Sequence, residues 1–119
     1  MTRALVVDDS ITMQQMISLA LTRAGFEVKL ASNGQEGLSN AAAPFDLIIT
    51  DLNMPVMDGF AFIKGVRALA QHKFTPVLVL TTEASSERRD QGKAAGATGW
   101  LTKPFDPEKL LAVVRSVVR

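Results

Sequence analysis

Apolar positions along this chain keep to two rhythms that take turns. Ala4-Leu5-Val6-Val7, Leu47-Ile48-Ile49 and Val77-Leu78-Val79-Leu80 run without polar interruption, the pattern of strands buried on both faces of a parallel sheet. Between them, apolar residues recur every three or four positions. Residues 10–24 put Met13, Met16, Ile17, Ala20, Leu21 and Ala24 on one helical stripe, and Gly25 stands where such a helix stops. Residues 26–31 alternate as a second strand. Asn33 followed by Glu36 predicts a brief capped helix that Pro44 ends. The central strand is expected over residues 46–50.

Asp58-Gly59 opens a third helix whose inward face is Phe60, Ile63, Val66, Leu69 and Ala70. Ser85 or Ser86 caps a polar helix that runs to Ala95 and ends at Gly96. Gly99-Trp100-Leu101-Thr102 is a short fifth strand. Asp106-Pro107 then starts a last helix carrying Leu110, Leu111, Val113, Val114, Val117 and Val118. Five strands alternating with five helices imply a doubly wound α/β domain with right-handed crossovers.

Ligands of such sheets sit beyond the carboxyl ends of the strands, and here those ends are polar. Strand one stops at Asp8-Asp9, strand three at Asp51, strand four at Thr81 and strand five at Lys103. Only the second ends without a charge or a site hydroxyl, which suits the margin of the sheet. Three carboxylates at one lip repel one another until one is protonated or a cation binds. Oxygen ligands without His or Cys suit a hard ion, Mg²⁺ first and Mn²⁺ second. Such an ion is commonly completed by phosphate oxygens, which leaves room for a phosphoryl group on the central carboxylate, Asp51. Lys103 and Thr81 are placed to neutralise and hydrogen-bond its oxygens. The product of a carboxylate nucleophile is an acyl phosphate.

Composition narrows the setting. A chain of 119 residues, 47% hydrophobic and 21% charged with net charge +1, fits one globular domain. It gives no support for a disordered tail or a nucleic-acid footprint. No apolar run reaches the ~20 residues that cross a bilayer, and the first is too short for a signal peptide. The absence of cysteine excludes disulfides, thiolate metal sites and thiol catalysis, and it suits a reducing cytoplasm.

Asp8-Asp9, Asp51 with Asn53-Met54-Pro55 and Asp58-Gly59, then Thr81 and Lys103-Pro104-Phe105, stand in an order and spacing that resembles the response-regulator receiver domain. The resemblance runs from about Arg3 to Arg119. It implies a flavodoxin-like (βα)5 fold with strand order 2-1-3-4-5. It also implies phosphorylation of Asp51 by a histidine kinase, with Mg²⁺ held by Asp8 or Asp9, Asp51 and the backbone carbonyl of Asn53. The Lys103–Pro104 bond matches the family's cis peptide. Asp8-Asp9-Ser10, Thr81-Thr82-Glu83-Ala84 and Gly96-Ala97-Thr98-Gly99-Trp100 look most like the stand-alone chemotaxis type, CheY-like, with residues 1–119 a single receiver domain and no output domain. Further implications are a monomeric switch rather than an enzyme, signalling through helix four, strand five and helix five. Its partners would be a flagellar motor or other effector and a phosphatase, with neither nucleic acid nor membrane.

In such domains Thr81 and an aromatic, here Trp100, form the switch. Trp100 is bulkier than the Tyr or Phe usual there, which predicts a thinly populated inward rotamer and leaves a static strand residue as the alternative. Asn53 and Glu83 flank the path of attacking water and are expected to tune dephosphorylation. Other functions stay in view: a phosphorelay shuttle or phosphate sink, an unphosphorylated scaffold, and a haloacid-dehalogenase-like phosphatase. The last needs a carboxylate two residues after the nucleophile, where this chain has Asn53. His72 is expected to be exposed and inert, Met13 and Met16 to pack, and Arg88, Arg89 and Lys93 to form a solvated face of helix four.

Overall fold

The structure, a computed structural model, describes residues 2–118. Its elements are β1 (Arg3–Val7), α1 (Ile11–Arg23), β2 (Glu27–Ala31), α2 (Gly34–Asn40), β3 (Leu47–Thr50), α3 (Gly59–Arg67), β4 (Val77–Thr81), α4 (Ser86–Ala95), β5 (Gly99–Thr102) and α5 (Pro107–Val117). A 3₁₀ turn, Ala70–His72, follows α3. The five strands are all parallel, in the order β2-β1-β3-β4-β5. Chain direction across the sheet reverses between β1 and β3, which is where doubly wound sheets open a crevice.

Alternate residues of each strand feed opposite faces. Leu5, Val7, Ile48, Val77 and Val79 pack with Phe62, Ile63 and Val66 of α3, and with Ala95 of α4. Ala4, Val6, Leu47, Ile49, Leu78 and Leu80 pack with Ile17 and Leu21 of α1, and with Leu110 and Val114 of α5. Each helix begins on a side chain that accepts a backbone N–H: Ser10, Asn33, Asp58, Ser85 and Asp106. These caps fix where every loop at the carboxyl edge hands over to its helix. Gly96 closes α4 at φ 118°, a left-handed conformation that favours glycine.

Three expectations are corrected. On α1, Met16 is 46% exposed and Gln14 takes an inward place. On α3 the helix ends at Arg67, Phe62 is the buried aromatic, Phe60 is half-buried, and Ala70 lies exposed in the following turn. Ile63 and Val66 keep their expected inward places, and the helix closes at Ala68 before Leu69 and Ala70 can extend the stripe. His72 is fully buried. Its Nε2 faces the carbonyls of Ala41 and Ala43 at 2.9 and 3.1 Å, Nδ1 lies 2.9 Å from the Thr75 hydroxyl, and the ring stacks on Phe45.

Candidate functional site

Three strand ends deliver charged groups to one spot, and Thr81 ends β4 on the same edge. The Asp8 backbone N–H still pairs with the Ala31 carbonyl of β2, and that of Asp51 with the Val7 carbonyl of β1. Both carboxylates therefore start from positions the sheet has already fixed. Lys103, one residue past β5, is held the same way by the Thr81 carbonyl. Its Nζ donates to Asp8 Oδ2 at 2.8 Å and to Asp51 Oδ2 at 3.0 Å. The remaining oxygens accept from backbone: Asp8 Oδ1 from Ser10 N–H, and Asp51 Oδ1 from Leu52 N–H. Asp8 and Asp51 are buried, whereas Asp9 is exposed. The Lys103–Pro104 peptide is cis.

Charge does not balance here. One ammonium pairs with Asp8 and Asp51, and these two with Asp9 place an oxygen each within 4.8 Å of one another. Burial raises the Asp8 carboxyl above its ordinary value, and the Lys103 and Ser10 hydrogen bonds offset this only in part. Burial alone would lower Lys103, but its hydrogen bonds to Asp8 and Asp51 outweigh that and hold it above its usual value. The donor set fits a hard divalent cation. Oxygens bound about 2.1 Å from one Mg²⁺ stand at most about 4.2 Å apart, so the spread needs little adjustment. Among the described residues the cluster is made of carboxylates alone, with neither His nor Cys in it.

The loop after Asp51 is tightly seated. Gly59, the first residue of α3, lies against the Asp51 carbonyl and 2.8 Å (from where a Cβ would be) from Leu52 Cα, so no larger residue fits. Gly34 at the start of α2 abuts Met57 in the same way, at 2.6 Å from its carbonyl oxygen. Val56 sits 80% exposed at φ 71°, a conformation β-branched residues rarely adopt. Asn53 stands exposed in this loop.

Thr81 is buried, and its hydroxyl accepts from the Glu83 N–H at 3.3 Å. The Glu83 carbonyl in turn accepts from the Trp100 indole N–H at 3.0 Å. Trp100 thus lies half-buried against α4. Gly92 supplies the room: a Cβ there would come within 2.6 Å of Trp100 Cζ3. Neighbouring Arg88 is half-buried over the Phe60 ring, 5.6 Å from its centroid, so only Arg89 and Lys93 of that basic trio are solvated. Beside them Asp90, Thr98 and Trp100 line a groove of about 340 Å³.

Two contributors escaped the sequence reading. Gln14 is a polar residue on the stripe Gln14, Ile17, Leu21, a three-and-four spacing that marks it as inward. Gly92 gives no signal without its partner Trp100.

A family model described as the response regulator receiver domain matches residues 4–115. Among solved structures, the chemotaxis response regulator CheY4 of Vibrio cholerae is 55% identical with TM-score 0.95, covering 99% of each chain. The receiver domain of a Pseudomonas aeruginosa sensor histidine kinase, determined with a magnesium ion coordinated in its active-site cleft, is 27% identical with TM-score 0.91. It covers 98% of this chain and 96% of that one. Among curated proteins, the DNA-binding dual master transcriptional regulator RpaA of Synechocystis is 38% identical over 120 residues, covering 100% of this chain and 50% of RpaA. The response regulator ArlR of Staphylococcus aureus is 33% identical, covering 100% of this chain and 53% of ArlR. The chain spans about half the length of these curated relatives. With its parallel 2-1-3-4-5 sheet and its acids and lysine gathered at one edge, the chain belongs to the response regulator receiver domain family.

Proposed function

We propose that the chain is a phosphorylation-driven switch in which Asp51 accepts a phosphoryl group from a histidine kinase. The observation that carries this reading is the meeting of Asp8 and Asp51 on the single Lys103 amine, with Asp9 alongside. An Asp51 oxygen attacks phosphorus on the donor's phosphohistidine. The P–N bond breaks, the imidazole keeps the electron pair and takes up a proton, and Asp51 becomes an acyl phosphate. Asp8, Asp9, Asp51 and the Asn53 carbonyl would hold Mg²⁺. When bound, that ion neutralises charge on the phosphoryl oxygens and orients them. Lys103 moves from bridging two carboxylates to pairing with a phosphoryl oxygen. The Thr81 hydroxyl donates to another.

Readout follows from the chain of hydrogen bonds already described. Redirecting the Thr81 hydroxyl weakens its hold on the Glu83 N–H, and the Glu83 carbonyl is what anchors Trp100. The equilibrium of the face made by α4, β5 and α5 shifts accordingly. An effector binding there, beside Arg89 and Lys93, reads the shift. Asn53 and Glu83 flank the approach of water and set the lifetime of the acyl phosphate. Identity of 55% over 99% of both chains with a chemotaxis regulator favours a role in motility. We place this activity in the cytoplasm, as a monomeric signalling protein and not a turnover enzyme.

Acetyl phosphate with Mg²⁺ is expected to add one phosphoryl mass to the intact protein, and neither Asp51→Asn nor a chelated sample gains it. An unmodified wild type, or an Asp51→Asn protein labelled equally well, would overturn the assignment.

A further inference from the structure

We propose that Gln14, which bears no charge and touches no carboxylate, is the positioning residue of the cation pocket. Its side chain is 7% exposed, and its amide nitrogen lies 2.6 Å from the Asp8 carbonyl oxygen, 3.3 Å from the Ala31 carbonyl oxygen and 3.3 Å from the Ser32 hydroxyl. Asp8 is then held at every polar atom. Its N–H goes to Ala31, its carbonyl to Gln14, and its carboxylate oxygens to Ser10 N–H and Lys103. The same amide ties this loop to the end of β2, the one strand that contributes no site residue.

That tie reaches the far side of the pocket. Ser32 precedes Asn33, the cap of α2, and Gly34 of that helix abuts Met57 in the loop after Asp51. One buried amide thus joins the Asp8–Asp9 loop to a support for the Asp51–Asn53 loop. Groups that orient metal ligands commonly change affinity by about 10–100-fold when removed. This inference rests on the reading of Asp8, Asp9 and Asp51 as Mg²⁺ ligands.

The test is calorimetric titration of MgCl₂ into the metal-free chain. Gln14→Met keeps the length of the side chain and removes its donors, and Gln14→Leu serves in case that variant folds poorly. We expect the Mg²⁺ Kd to weaken about 10-fold, against a change within roughly two-fold for Ile17→Val, a packing control on the same helix. Faster amide exchange at Ser10, with Ile17→Val leaving it unchanged, would accompany the loss. An unchanged Kd in both Gln14 variants, or equal weakening in the control, overturns the inference. A wild type that binds no Mg²⁺ overturns the cation reading itself and this inference with it.

Discussion

The two edges of the sheet use polar side chains to opposite ends. At the amino edge, Arg67 donates to the carbonyls of Gly96 and His72 at 2.8–3.0 Å and also to that of Thr75. His72 meets the carbonyls of Ala41 and Ala43, and Arg3 lies over the Phe45 ring at 4.8 Å. There the Arg67 guanidinium and His72 Nε2 meet mainly neutral backbone carbonyls, Arg3 also pairs with Asp46 and Glu27, and the network joins loops to one another. At the carboxyl edge, acids that repel each other share one amine. Hydrogen bonds are satisfied at both edges, since among the described residues no buried side-chain N or O lacks a partner. What separates a staple from a site is therefore the sign of the charge left over, not polarity in the interior.

Cutting each edge exposes the difference. Lys103→Met removes the cation that bridges Asp8 and Asp51, and the metal-free protein should lose about 3 kcal/mol in urea unfolding, because two buried carboxylates are left uncompensated. Mg²⁺ should bind this variant more tightly, by roughly ten-fold, and restore most of the loss, since the cation now meets fewer competing charges. Arg67→Met should cost a similar ~2–3 kcal/mol by stranding several carbonyls. No Mg²⁺ concentration should recover it, and Mg²⁺ affinity measured by titration should stay at the wild-type value. If Mg²⁺ rescued both variants alike, the contrast between the edges would fail.

Smaller effects sharpen the same contrast. His72→Phe should lower the unfolding free energy by ~1–2 kcal/mol, by leaving the Ala41 and Ala43 carbonyls without their donor, with acetyl phosphate labelling of Asp51 unaffected. Val56→Asn should raise stability by about 0.5–1 kcal/mol in thermal or urea unfolding, because Asn tolerates the left-handed backbone that Val resists. Because that residue is in the loop following Asp51, a change in dephosphorylation rate would tie its strain to the site.

How much of this was written in the residue order depends on how local each feature is. Strand ends, caps and the positions of Asp8, Asp9, Asp51, Thr81 and Lys103 follow from patterns within a few residues, and the strands lie within a residue or two of where they were expected, whereas α3 stops three residues short. The convergence of those groups followed from topology alone, because parallel strands put all their carboxyl ends on one side. Features that depend on a distant partner were not legible. His72 reads as a lone polar residue until the loop before β3 closes over it. The seat of Trp100 depends on Gly92, on another element, which leaves space for the indole. Gln14 stands on an inward spacing, but its partners show only once α1 packs with its amide aimed at the ends of β1 and β2. Met16, counted inward by its spacing, yields to that same packing.

The most direct test of the account is the unfolding free energy of wild type as a function of Mg²⁺ concentration, at constant ionic strength. The account predicts a rise that follows ligand binding to the folded state, about 2.7 kcal/mol at one hundred times the Kd, abolished when Asp8 and Asp51 are both changed to Asn. Stability independent of Mg²⁺, or a rise that survives the loss of both carboxylates, would contradict it.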